Sequence, residues 1–351
     1  MVAISYSSGR SANSSTLMSS PPLGPGMPRP RGPLSASLVA ILHEKPFTVR
    51  EPPRLTGDVL DDDDFQLALH CCYELHYGGY RGVDDGWEWE PSLLAWRKAL
   101  EAPFVDAVRG EVPWSPAAVD EVVPGLRALA TPTDGPSLSG WALENGTMTH
   151  AREFAMHRSA YQLKEADPHT WTIPRLRGRA KAAMVGIQAD EYGGGDEAMM
   201  HASLFADTMV ELGLDPSYGH YIDVLPAATL ATDNLVSFFG LHRRWRGALV
   251  GHLALFEMTS VGPMGRYGAW LERLGVPERG RRFYDVHVTA DEQHQHIAAN
   301  DLAGGLAADE PDLAGDIVWG ARALAAIEAR FSGRLLACWQ TGLSSLRHHR
   351  V

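Results

Sequence analysis

Between Phe283 and Asn300 the chain reads F-Y-D-V-H-V-T-A-D-E-Q-H-Q-H-I-A-A-N, which sets His287, Asp291 and His294 at i, i+4 and i+7. At about 100° per residue these side chains fall within roughly 60° of one another on a helix, stacked along about 10 Å of its axis. One helical face then offers imidazole, carboxylate and imidazole. Such a nitrogen–oxygen set suits iron, manganese or zinc and is too poor in oxygen for calcium. The bland reading is a solvated polar face. Against it, Val286, Val288 and Ala290 make the surroundings apolar, and His296 projects nearly opposite His287. A carboxylate buried between two histidines without a partner would be costly, and a metal removes that cost.

One helix rarely completes a metal site, so further donors are sought among acids on apolar helices. Glu257 is the lone carboxylate of A-L-V-G-H-L-A-L-F-E-M-T-S, and lone carboxylates are almost never fully buried unless paired. Glu191 closes the apolar run A-A-M-V-G-I-Q-A-D-E-Y just before Gly193–Gly195, and His201 opens the next run. An unbroken helix would leave these two about 80° apart. A kink at the glycines would re-aim them toward one centre. Glu165 lies in S-A-Y-Q-L-K-E-A-D-P-H-T-W, where Pro168 stops a helix. Taken singly, each acid is more often a surface or capping residue. Together, Glu165, Glu191, Glu257 and Asp291 carry four negative charges that two divalent irons would neutralise, with His201, His287 and His294 as neutral donors. Without metal, carboxylates in a dry core would repel one another and take up protons. His252 reads as a structural histidine.

The elements that must position these residues are helices. Apolar periodicity predicts them at about 64–77, 90–109, 116–130, 149–165, 176–191, 196–212, 226–241, 244–260, 263–274, 280–306 and 310–340, separated by breakers such as Asp167-Pro168, Gly193–Gly195 and Gly262-Pro263. No alternating strand pattern and no internal repeat is visible, so the class is all-α. Residues 1–34, rich in Ser, Pro and Gly, read as a disordered tail. The acidic block Asp61–Asp64 reads as a helix N-terminus, where negative charge is favoured. A Thr/Pro/Gly/Ser stretch at 131–140 divides an N-terminal helical section, 35–145, from a helical core, 146–345.

Composition narrows the partners. The 351 residues carry 31 Lys+Arg against 43 Asp+Glu, a net charge of −12, whereas duplex binding needs a concentrated basic footprint. No apolar run approaches the roughly 18 residues of a membrane span. The expectation is a small-molecule substrate, with no nucleic acid and no membrane, and a homodimer is plausible through the N-terminal helices. Cys71, Cys72 and Cys338 form no CxxC pair, so neither a zinc-thiolate site nor a disulfide framework can be drawn, and a reducing cytoplasmic setting fits. The chain has no E-x-x-H of a ferritin-like bundle, no H-E-x-x-H zinc helix and no phosphate-loop motif.

A resemblance adds to this reading. Lys164-Glu165-Ala166-Asp167-Pro168, Asp190-Glu191-Tyr192-Gly193 with His201, Phe256-Glu257-Met258-Thr259 and His287-x3-Asp291-x2-His294 resemble the haem-oxygenase-like diiron oxidases and oxygenases, the iron-containing redox enzymes. The spacings of 26, 10, 56, 30, 4 and 3 residues look like the N-oxygenase branch of the nitrosourea (streptozotocin) pathway. The resemblance implies a haem-oxygenase-like helical bundle with an N-terminal helical extension. It makes all seven residues iron ligands: Glu165, Glu191, His201, Glu257, His287, Asp291 and His294. It also implies two irons cycling between ferrous and ferric, dioxygen as co-substrate and an external reductant. The leading reaction is N-oxygenation of an amine or guanidine nitrogen, and the second is oxidative C–C cleavage or desaturation of an amino or fatty acid. Glu191, beside the glycine break, is the candidate mobile ligand. A non-catalytic helical scaffold or metal-binding protein is the alternative of another class. Glu74 and His76, in an upstream stretch that shares the resemblance, read as packing or local hydrogen-bonding residues.

Overall fold

The computed structural model describes residues 24–53, 57–131, 135 and 137–347. Among them there is no strand, and the class is all-α as expected. The N-terminal helices are α1 (Pro33–Leu42), α2 (Asp63–Glu74), α3 (Pro91–Glu111), α4 (Val119–Ala130) and α5 (Leu138–Asn145). The remainder comprises α6 (Met148–Gln162), the short α7 (Asp167–Thr170), α8 (Gly178–Glu191), α9 (His201–Glu211), α10 (Ala227–Leu241), α11 (Arg246–Arg273), α12 (Glu278–His296), α13 (Gly304–Asp309) and α14 (Ala314–Gln340), with a π-helical segment, Ile297–Ala303, joining α12 to α13.

The long α11 is the axis of the bundle, packed most extensively against α12 and α14. Its crossing with α14 is backbone on backbone. A β-carbon on Gly251 would lie inside the Ile317 carbonyl, and one on Gly320 inside that of Ala248. Only glycine permits this approach. Trp87, Trp96, Trp270 and Trp319 are fully buried, and truncating any of them to alanine costs about 3–5 kcal/mol.

Four expectations need correction. Residues 24–34 are packed and not part of a tail: the Pro25 carbonyl accepts from Arg81 N (2.9 Å) and Pro33 opens α1, while 1–23 lie outside the described residues. Helix α11 runs unbroken through Gly262-Pro263, because the helices on either side hold it and tertiary packing overrides the lost hydrogen bond. The predicted helix 196–212 begins only at His201. Finally, α1 and α5 have no counterpart in the periodicity. The N-terminal helices also share one apolar cluster with the rest, with Phe65, Trp96 and Phe104 packed among Phe239, Trp245 and Trp319.

The acidic block caps three helices at once. Asp62 accepts from Asp64 N and Phe65 N of its own helix (2.8 and 3.1 Å), Asp64 from Leu34 N and Ser35 N of α1 (both 2.8 Å), and Asp63 from Ala227 N of α10 (2.6 Å). Each satisfies N–H groups that a helix start leaves unpaired. Among the described residues no helix is long and apolar enough to cross a membrane.

His157 on α6 ties the bundle to its C-terminal segment, with Nδ1 2.7 Å from Thr229 Oγ1 and Nε2 3.0 Å from Ser345 Oγ. Burial holds its pKa down to about 3, against about 6.5 when unfolded. Between those values only the unfolded chain takes the proton, so stability falls as pH falls. From pH 7 to pH 5 this group alone removes about 2 kcal/mol. Urea midpoints at the two pH values check it: His157→Gln is expected to flatten the acid loss by that amount.

Candidate metal centre

Helix α6 ends at Gln162, and the turn after it aims two consecutive side chains apart. Lys164 reaches away to Glu74 Oε2 (3.2 Å) and Asp233 Oδ1 (3.1 Å), where the carboxylates outweigh burial and keep it charged. Tyr218 donates to the same Glu74 (2.6 Å) and His70 Nδ1 lies 2.9 Å from Asp233. With Lys164 anchored to α2 and α10, Glu165 turns inward, and Ala166 takes φ +75, the one positive φ outside glycine among the described residues.

Glu191 is the last residue of α8. The chain then turns through Gly193, whose φ is +64 and where a β-carbon would stand 2.6 Å from Met199 C and Met200 N. His201 opens α9. The glycine break re-aims the two side chains as expected and brings His201 Nδ1 to 2.8 Å from Glu191 Oε2. Glu257 comes from α11, and His287, Asp291 and His294 from one face of α12.

All seven side chains are buried, and six of them form two donor groups. Glu165, Glu191, His201 and His287 each present one ligand atom within 4.8 Å of the others, and Glu191, Glu257 and His294 do the same. Glu191 belongs to both. Asp291 flanks the second group, its Oδ1 3.6 Å from His294 Nδ1 and its other oxygen accepting from Ser260 Oγ.

Hydrogen bonds behind the donors fix their aim. His287 Nδ1 donates to the Phe283 carbonyl (2.7 Å), which leaves Nε2 facing Glu165 Oε1 at 3.7 Å. His294 Nε2 donates to Asp190 Oδ2 (2.9 Å), which leaves Nδ1 facing Glu257 Oε2 at 3.3 Å. The Gln162 amide nitrogen, in the orientation its neighbours require, donates to Glu165 Oε1 (2.7 Å). Partners of this kind orient metal ligands and set their basicity.

The cluster is electrostatically frustrated on its own. Burial pushes Glu257 up to about 8, with Glu191 and Asp291 adding to the rise. Burial opposes charge on the two histidines, but the carboxylates outweigh it. Glu165 leads in raising His287 to about 10, and Asp291 and Glu257 in raising His294 to about 11. Glu191 Oε2 and His201 Nδ1 face each other at 2.8 Å, and Asp291 Oδ1 and His294 Nδ1 at 3.6 Å, yet none of these four buried atoms makes a well-aligned hydrogen bond. Three of them belong to the two donor groups and Asp291 Oδ1 flanks the second, where a cation would satisfy them. Nitrogen and oxygen donors with no sulfur suit iron, so the residues present fit that metal.

Sequence reasoning missed Asp190, Ser260 and Gln162, which act through these hydrogen bonds. It read His252 as structural; that ring is buried, 3.2 Å from His169 Nε2. Glu74 serves Lys164 and Tyr218, and His76 pairs with Arg97 Nη1 (2.5 Å).

An all-helical bundle with buried histidine–carboxylate groups between its helices defines a class of metal-carrying redox proteins. The chain belongs to the iron-containing redox enzyme family, whose model matches residues 152–329, a span that holds all seven residues. Membership places it among the oxidoreductases. No curated protein is similar enough to the chain to count as a relative.

Proposed function

We propose that the chain is a non-haem diiron oxygenase that uses dioxygen to oxidise a small organic substrate, by N-oxygenation of an amine or guanidine nitrogen. The observation that carries this reading is the shared carboxylate: Glu191 stands in both donor groups, as a residue bridging two neighbouring metal ions would. Two irons bound there would supply dioxygen activation, with electrons from an external reductant. The rest is the work of the chain's own residues. Asp190 and the Phe283 carbonyl hold His294 and His287 with one nitrogen inward. Tyr161, Leu253 and Phe256 line a small, partly open cavity of about 10 Å³ beside the donors, room for about one water molecule. Glu191 adjoins a turn of three positive-φ glycines, the backbone freest to let a ligand shift and open a coordination position. The apolar Leu253 and Phe256 favour a second reading, oxidative cleavage or desaturation of a carbon chain.

Anaerobic loading with Fe(II) is expected to give about two irons per chain, one for each donor group. Negligible uptake would leave a helical scaffold. Aerobic incubation of the loaded protein with amines, guanidines and amino acids, followed by mass spectrometry, separates the reactions: a gain of one oxygen atom supports N-oxygenation, and loss of carbon or hydrogen the second reading. His287→Ala or Glu257→Ala is expected to abolish the O₂-dependent absorbance change of the Fe(II) protein. An intact change in either variant removes that residue from the site.

A further inference from the structure

Gln188, one turn before Glu191 on α8, is buried and lines the same small cavity as Glu165, Glu191 and Glu257. Its amide nitrogen is used twice, donating to the Ala166 carbonyl (2.8 Å) and to Thr170 Oγ1 (2.6 Å). Its Oε1 is buried with no hydrogen-bond partner.

The orientation of this amide is forced. A backbone carbonyl only accepts, so the NH₂ end must face Ala166. A one-way chain of donors enforces the same choice at the other hydrogen. Tyr192 gives its single hydroxyl proton to the Asp167 carboxylate (2.7 Å) and therefore accepts from Thr170 Oγ1 (3.0 Å). Thr170, its proton committed to Tyr192, can only accept from Gln188. Asp167, Tyr192, Thr170 and the strained Ala166 thus combine to leave one neutral acceptor oxygen unpaired on a residue that lines the cavity. Buried polar atoms of this kind ordinarily have partners.

We propose that Gln188 Oε1 receives an N–H of the substrate, which makes Gln188 a specificity-determining residue for nitrogen-bearing substrates (amines or guanidines) over hydrocarbon chains. This rests on the diiron reading above and deepens it. The cavity is too small for a whole substrate, so the group admitted is a slim terminal nitrogen whose donor meets Oε1 while its lone pair or edge faces the ligands. A site built around a donor–acceptor pair rejects an analogue that lacks the donor, because its own buried acceptor is then left unpaired.

The test uses the full chain loaded with cobalt(II), whose visible spectrum reports occupancy beside the metal. The probes are n-propylamine and methylguanidine, with ethyl methyl ether as the control, equal to propylamine in heavy atoms and without a donor. In the wild-type protein the N–H probes are expected to bind more tightly than the ether, their charge and the hydrogen bond to Oε1 both contributing. Gln188→Met, which keeps length and removes the acceptor, is expected to cut that preference by about tenfold, the factor one net hydrogen bond supplies. A Gln188→Met protein that keeps the preference undiminished overturns the proposal. So does a wild-type protein that binds all three probes alike, a result that needs no variant to fold. If the wild-type protein takes up neither cobalt nor iron, the diiron reading fails. The Gln188 proposal is then decided on the metal-free protein, by whether the N–H probes shift the Gln188 side-chain amide resonances and the ether does not. Resonances unmoved by every probe would mean that Oε1 serves only a bound water.

Discussion

Glu191→Ala is expected to remove both metal ions at once, weakening each by at least about 100-fold, since losing a supporting partner alone typically costs 10- to 100-fold in affinity. The reasoning is topological. Glu165→Ala takes a donor only from the group that holds His201 and His287, and Glu257→Ala only from the group that holds His294. Each of those variants should retain one equivalent of iron. Glu191→Gln separates charge from shape: it keeps the side-chain volume and loses the anion, and it should fall between wild type and alanine. Metal analysis after anaerobic loading reads all four proteins, with circular dichroism as the control for fold. A Glu191→Ala protein that keeps two irons would show that the metals, if bound, do not share this carboxylate.

The second large effect concerns α12 and the segment after it. His287, Asp291 and His294 all lie on this helix, so much of the uncompensated charge of the metal-free site is concentrated there. The helix runs directly into the π-helical Ile297–Ala303, a rare geometry found mostly as single-turn insertions in α-helices and frequently at functional sites. Amides across 280–300 are therefore expected to exchange about 100-fold faster without iron than at an iron concentration of a hundred dissociation constants, the protection such saturation provides. Hydrogen exchange followed by mass spectrometry reads it directly. Equally slow exchange in both states would mean that the segment is held by packing alone and that the metal contributes nothing to its order.

Much of the candidate centre was legible in the sequence because helical geometry is periodic. His287, Asp291 and His294 share a face by spacing alone, and Glu257 is conspicuous as a single charge in an apolar run. Glu191 and His201 were harder, because their approach depends on three glycines adopting positive φ, which spacing along the chain does not specify. Asp190 was hidden by its neighbour: adjacent residues on a helix point about 100° apart, so nothing local says that Asp190 reaches His294 on another helix while Glu191 faces the cavity. Gln188, Ser260 and Gln162 likewise gain their meaning only from partners distant in sequence. In the fold, the prolines misled. Pro263 is a breaker by local propensity, yet α11 carries it in its interior, as α3 carries Pro103 and α4 carries Pro124. The short α1 escaped notice because its N-terminal cap is supplied from thirty residues away, by Asp64.

That borrowed cap has a wider consequence. Asp62, Asp63 and Asp64 serve three different helices from consecutive positions, so the triplet works as a length gauge. Inserting or deleting a single residue there would swing the run by about 100° and unseat all three helix starts together. Evolution can therefore change these aspartates one by one more easily than it can change the count of residues between them.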